Sequence, residues 1–113
     1  MTTSQASEMP TVVIVTFPSV STMSQGDLRR LLEETGPKYT AIEGLKRKYF
    51  ISGEQCGGGV YEWRSRPLAE QFYTESWYSQ MHDRTGTRPT VTFYDAPAIA
   101  DGISHQLEIF VSD

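Results

Sequence analysis

Seven residues near the start of the chain, Thr11 to Phe17, are mostly β-branched and are apolar at both odd and even positions. A strand with two apolar faces is typical of the buried centre of a sheet. A run of leucines at helical spacing then follows Ser24 and Asp27, a pair that resembles a capping box. The pattern predicts a central strand and a first helix that is kinked at Gly36-Pro37 and ends at Gly44.

The middle of the chain has the pattern of a β-hairpin. Leu45 to Ser52 alternates Lys46 and Lys48 with apolar residues, which predicts a strand with one wetter face on which both lysines lie. The glycine-rich stretch Gly53 to Gly59 predicts a turn, and Val60 to Arg64 is expected to form the second arm of the hairpin.

The rest of the chain predicts one more helix and two more strands. Apolar residues recur at helical spacing between Ser65 and Gly86, and the small or acidic residues from Thr74 to Ser76 allow a local break in that helix. Pro89 to Asp95 has the composition of a fourth strand. After a turn at Gly102, His105 to Val111 is predicted to form an additional terminal strand.

This order of elements is β-α-β-β-α-β, and it predicts an α+β domain of the ferredoxin-like type with an extra C-terminal strand. Residues 1–10 are expected to form a disordered leader, and residues 11–113 a single ferredoxin-like domain. Two helices on one face of the sheet leave the other face uncovered. Because apolar residues such as Ile14 and Phe50 suggest that both faces need covering, we expect a second copy to bury the open face in a homodimer.

Composition narrows the classes of function. The 113 residues have a net charge of -4 and contain no block of like charges that could follow a phosphate backbone, which argues against a nucleic acid partner. No apolar run has the length of a membrane span, and the first ten residues lack the apolar core of a secretory signal. The single cysteine, Cys56, suits a reducing compartment. A cytoplasmic location is therefore expected.

Three stretches together resemble a known family. They are GLKRKYFISGE at Gly44 to Glu54, GGGVYEWRSRPLAEQFY at Gly57 to Tyr73, and PTVTFYDAP at Pro89 to Pro97. In this order and spacing they resemble the antibiotic-biosynthesis monooxygenase superfamily, and in particular its YdhR-like monooxygenases. The similar region covers about half of the chain.

The resemblance implies a dimeric α/β barrel with a pocket in each subunit between sheet and helices. It also implies oxidation of a small aromatic or polyketide-like substrate by O2 without a metal, flavin or other cofactor. The chain contains no asparagine, whereas the quinone-forming and haem-degrading branches of the superfamily use one in the site. The resemblance therefore does not extend to those two mechanisms.

Four aromatic residues are candidates for substrate binding. Tyr61 and Trp63 lie two apart on one strand, so they share a face, and Tyr73 and Trp77 lie four apart on the second predicted helix. Together they could form the wall of a pocket that stacks a flat ligand. The alternative is that they fill the hydrophobic core.

Three further residues are candidates for catalysis. His82 or Tyr49 could handle a proton, and Arg47 could stabilise a developing anion. Alternatively, His82 caps the end of its helix and Arg47 forms a salt bridge with Glu62 on the neighbouring strand. No histidine and carboxylate pair has metal-ligand spacing, so no metal site is predicted.

Three functions stay open at this point. The leading hypothesis is a cofactor-independent monooxygenase that acts on a small hydrophobic molecule. The first alternative is a non-catalytic dimer that binds such a molecule. The second is a cyclase or isomerase of polyketide metabolism on the same scaffold, which needs a base but no oxygen.

Overall fold

The structure is a computed structural model that describes residues 8–18 and 23–113. Most of the predicted leader, residues 1–7, lies outside the described residues. The described part is an α+β fold in which helices and antiparallel strands form separate layers. Its elements are β1 (Thr11–Phe17), α1 (Gln25–Thr35), a 3₁₀ helix (Pro37–Thr40), β2 (Leu45–Ser52), β3 (Gly57–Trp63), α2 (Arg66–Phe72), α3 (Glu75–Thr85), β4 (Thr90–Asp95), β5 (Ala98–Asp101) and β6 (Gln106–Ile109).

The main sheet has the strand order β2-β3-β1-β4, and all neighbouring strands are antiparallel. The prediction that β1 is a central strand is confirmed, because Val13 pairs with Tyr61 on one side and with Phe93 on the other. This order, with the helices between the strands along the chain, is consistent with the ferredoxin-like arrangement that the sequence predicts.

The hydrophobic core lies on the helix-facing side of this sheet. Strand periodicity places Val13, Val15, Tyr61 and Trp63 on that side, and all four are buried. Ala69 of α2 packs against them in the same buried cluster. The core is therefore built by alternate residues of the two central strands and by the helices that cover them.

The first helix is shorter than predicted. The Ser24 side chain accepts a hydrogen bond from the backbone N–H of Asp27, which confirms the cap. The prediction that the helix continues past Pro37 to Gly44 is wrong: α1 ends at Thr35, and Pro37 begins a separate 3₁₀ helix. Proline has no N–H to donate to the preceding turn. The α-helical hydrogen-bond pattern therefore ends there, and the helix does not merely bend.

The second predicted helix is two helices, with the break close to where the sequence allows one. Tyr73 separates them in a non-helical conformation. Thr74 then caps α3, because its side chain accepts a hydrogen bond from the backbone N–H of Trp77. Gly86 ends α3 with a positive φ of 83°, as predicted for a helix-ending glycine.

The end of the chain forms a hairpin that the sequence predicts only in part. The terminal strand is β6, shorter than the predicted His105 to Val111, and it pairs with β5 in a separate two-stranded sheet. β5 itself was not predicted, since its four residues are too few to show a periodic pattern. No helix of the described residues has the length and apolarity needed to cross a membrane.

Candidate functional site

A cavity of about 490 Å³ lies between the helix-facing side of the sheet and the helices α1 and α3. This size falls within the range of pockets that bind small organic molecules. Most of its wall is apolar. The aliphatic and aromatic wall residues are Val15, Phe17, Met23, Leu28, Leu31, Leu32, Tyr39, Phe50, Ile51, Tyr61, Trp77 and Met81.

Lys48 of β2 extends its amino group into this aromatic wall. The Nζ atom lies 3.6 Å from the centre of the Tyr39 ring, 4.0 Å from that of Phe50 and 4.6 Å from that of Tyr61. Ring faces attract a cation, so the three rings favour the ammonium form. No carboxylate forms an ion pair with Lys48 anywhere in residues 8–18 and 23–113.

A β-bulge explains why Lys48 faces the cavity. Leu45 pairs with Trp63 and Arg47 pairs with Glu62, so Lys46 is an extra residue in β2 and the alternation shifts after it. The prediction that both lysines lie on a wet face is therefore wrong for Lys48. The signal that the sequence offered was Phe50, because a large apolar residue two positions further on shares the face of Lys48.

Gly59 makes room for the lysine side chain. A Cβ atom at this position would lie 2.9 Å from the Cε atom of Lys48 and 3.1 Å from the Tyr61 ring. Any larger residue would therefore compete with Lys48 for the same space. The glycine-rich stretch thus serves two purposes, because it forms part of the hairpin and it leaves the volume that Lys48 occupies.

The surroundings of Lys48 make its neutral form accessible. Burial lowers its pKa to about 7, and the positive charges of Lys38 and Arg84 lower it in the same direction. Both the amine and the ammonium are then populated near neutral pH. An amine that can exchange a proton at neutral pH inside an apolar cavity has the properties of a general base.

The four predicted aromatic residues lie together but only two of them face the cavity. Tyr61 and Trp77 line it. Trp63 and Tyr73 lie behind them in the core, where the Trp63 Nε1–H donates a 3.0 Å hydrogen bond to the Tyr73 hydroxyl. Burial raises the pKa of Tyr61 and of Tyr73 well above the usual range, so both hydroxyls stay protonated.

His82 lies outside the cavity wall. It is exposed in the last turn of α3, and its backbone carbonyl accepts a hydrogen bond from the N–H of Gly86. Its neighbours Met81 and Arg84 line the cavity instead. The structure thus places the predicted histidine on the same helix as the site but on its outer side.

Arg47 and Tyr49 lie on the opposite face of the sheet. The Arg47 Nε atom is 3.1 Å from a carboxylate oxygen of Glu62, which is the salt bridge that the sequence allowed as an alternative. Tyr49 is 56% exposed on the same face. Neither side chain reaches the cavity, because the bulge places Arg47 and Tyr49 on the face opposite to Lys48.

The described residues contain no group of three or more histidine, cysteine or acidic side chains that could hold a metal ion. Comparisons with protein-family models, with curated proteins and with solved structures find no match. What the site can do is therefore argued from its own chemistry. An apolar cavity with one accessible amine can bind a flat hydrophobic molecule and exchange a proton with it.

Proposed function

We propose that this protein binds a small hydrophobic molecule, aromatic or polyketide-like, and removes a proton from it so that it reacts with O2 without a cofactor. The observation that supports this most directly is the amino group of Lys48 inside an apolar cavity of ligand size. Tyr61 and Trp77 supply flat walls against which a planar ligand can stack.

The proposed reaction uses the substrate's own electrons. Neutral Lys48 takes a proton from an activated CH2 or enol group, and the resulting ammonium stabilises the enolate. The enolate reduces O2 and forms a carbon–oxygen bond, and loss of water then leaves a ketone. One CH2 group and one O2 thus become one C=O group and one water molecule.

We also propose that the working form is a homodimer. The open sheet face presents Tyr49 and Tyr94, both more than half exposed, and the hairpin presents Leu107 and Ile109, which are 62% and 63% exposed. Apolar side chains of this size favour burial against a partner. A second copy that joins the two open faces would give the barrel that the family resemblance implies.

A non-catalytic binding protein is the second candidate. The cavity wall combines Lys48 with mainly hydrocarbon groups, and the described wall residues include no carboxylate or histidine to act as its catalytic partner. A protein that only sequesters or senses a hydrophobic ligand needs no such partner. A cyclase or isomerase is a third possibility, since it would use the same base without oxygen.

Oxygen uptake with anthrone, a flat enolisable ketone, tests the proposal. We expect consumption of one O2 per anthrone above the uncatalysed rate, and a rate that rises through about pH 7 as Lys48 loses its proton. Lys48→Met should lower the rate by about a hundredfold or more, the usual contribution of a general base. Lys46→Met, a change to the exposed neighbouring lysine, is the matched control.

The other outcomes separate the alternatives. Binding of anthrone without oxygen uptake would favour the non-catalytic protein. Turnover of an enolisable ketone under nitrogen, abolished by Lys48→Met, would favour an isomerase or cyclase. An unchanged rate in Lys48→Met would contradict the role of Lys48 as the base.

A further inference from the structure

The charges around the cavity are unbalanced. Its described wall includes two cationic side chains, Lys48 and Arg84, and no acidic one. Elsewhere in the described residues, several basic side chains pair with acids: Lys46 and Arg47 with Glu62, and Arg88 with Glu75. The cavity wall therefore holds two cations and no counterion among the described residues.

The groups that face Lys48 from neighbouring elements do not correct this imbalance. The 3₁₀ helix contributes Lys38 and Tyr39, β3 contributes Tyr61, and α3 contributes Arg84. None of these side chains is a carboxylate, and burial raises the pKa of Tyr61, which keeps its hydroxyl protonated. An ammonium that is partly buried in an apolar wall is more stable when it is paired with an anion, so the missing partner points to the ligand.

Trp77 provides a second, independent indication. It lines the cavity and is 8% exposed, and its indole Nε1–H is buried with no hydrogen-bond partner among the described residues. An unpaired buried donor costs free energy, and an acceptor oxygen on a ligand would remove that cost. Lys48 and Trp77 are thus two residues of a mainly apolar wall whose donors have no hydrogen-bond acceptor among the described residues.

We propose that the cavity binds a hydrophobic carboxylate, an apolar molecule of about the size of an aromatic acid whose carboxylate pairs with the ammonium of Lys48. This inference rests on the proposed use of the cavity as the ligand site. The carboxylate takes the place that the enolate takes in the proposed reaction. Hydrophobic acids are therefore ligands of the protein, and they compete with a neutral enolisable substrate for the cavity.

Proton linkage gives this proposal a distinctive signature. The carboxylate binds to protonated Lys48, and about half of the lysine is neutral near pH 7 in the free protein. Binding near neutral pH therefore takes up a fraction of a proton from solution. Above pH 7 the affinity should fall about tenfold per pH unit, because the protonated fraction of Lys48 falls by that factor.

The test is calorimetric titration with naphthoate and with naphthylmethanol, which has the same ring system without the charge. We expect naphthoate to bind about tenfold more tightly at about pH 6 than at about pH 8, with proton uptake that is visible as a dependence of the heat on the buffer. Naphthylmethanol should show neither effect. Equal behaviour of the two ligands would overturn the proposal.

Three variants assign the effect to Lys48. Lys48→Met should weaken naphthoate binding about tenfold or more at about pH 6 while naphthylmethanol still binds, which also shows that the cavity is intact. Lys48→Arg should keep the affinity for naphthoate but lose its pH dependence, because arginine stays charged. Lys46→Met is the control and should behave as the unmodified protein. Unchanged naphthoate affinity in Lys48→Met would overturn the proposal.

The experiments distinguish failure of the carboxylate-binding proposal from failure of the proposed oxygenation. Oxygen uptake with anthrone that naphthoate does not inhibit would leave the oxygenation standing and refute the carboxylate site. Lys48-dependent binding of naphthoate without any oxygen uptake would support the carboxylate site and refute the oxygenation.

Discussion

At the residue scale, a hydrogen bond joins Trp63 and Tyr73 in the part of the core that lies behind the cavity wall. Both side chains are buried, and the 3.0 Å bond satisfies the indole N–H. Tyr73→Phe would leave that donor buried without a partner, so we expect the free energy of unfolding to fall by about 1 to 3 kcal/mol. Urea denaturation of the variant and of the unmodified protein measures this loss in the free energy of unfolding.

Two comparisons make this test specific. Tyr94→Phe removes a hydroxyl from a tyrosine that is 51% exposed, and it should change the stability little. In a Trp63→Phe background, Tyr73→Phe should cost less than in the unmodified protein, because the donor is already absent. A loss no larger than that of Tyr94→Phe would show that the hydrogen bond contributes nothing.

The sequence correctly predicts the face on which a side chain lies where the strand periodicity is regular. It fails where a bulge interrupts that periodicity. Tyr61 and Trp63 were expected on one face of a strand, and their rings are indeed stacked, with centres 6.3 Å apart. Lys48 was missed because the bulge at Lys46 shifts the faces of β2 by one residue. The chain has three consecutive basic residues there, and composition alone does not show which of them is buried.

At the element scale, the pairing of β1 with β3 depends on Gly58. Its φ is +155°, and a Cβ atom there would lie 1.8 Å from the backbone oxygen of Val15 on the neighbouring strand. Gly58→Ala would force the two strands apart, because the clash is with backbone and not with a flexible side chain. We expect a loss of more than about 2 kcal/mol in the free energy of unfolding.

A matched glycine provides the control. Gly26, in the first turn of α1, has nothing within 4 Å of an added Cβ atom. Gly26→Ala should leave the stability unchanged or raise it by up to about 1 kcal/mol, as alanine favours helix. Equal effects of the two substitutions in thermal or urea unfolding would contradict the steric argument.

Most helices and strands could be predicted from local sequence patterns. Where the observed elements differ from the predicted ones, the cause is also local. The Ser24 cap, the central strand β1 and the glycine end of α3 were each predicted from a single motif and are confirmed. The cavity could not be derived in this way. It depends on the packing of α1 and α3 over the sheet, and periodicity shows that a face is apolar without showing how closely two faces meet.

At the scale of the whole molecule, contacts within the described residues do not account for the stability of the hairpin formed by β5 and β6. An isolated two-stranded hairpin has marginal stability in water. This one has the exposed apolar residues Ile103, Leu107 and Ile109, and it forms its own sheet apart from the main one. The open face of the main sheet is uncovered in the same way, so one partner subunit would resolve both problems.

Light scattering and sedimentation test the proposed homodimer. At micromolar concentration we expect a particle of twice the 12.7 kDa chain mass. Ile109→Asp should shift it toward the monomer, because burying an unpaired carboxylate at an apolar interface costs several kcal/mol. Ser79→Asp adds the same charge to an exposed position of α3 and should leave the dimer intact.

Far-ultraviolet circular dichroism would confirm that both variants are folded. A monomer in the unmodified protein, or a dimer that Ile109→Asp does not weaken, would show that the apolar hairpin has another role.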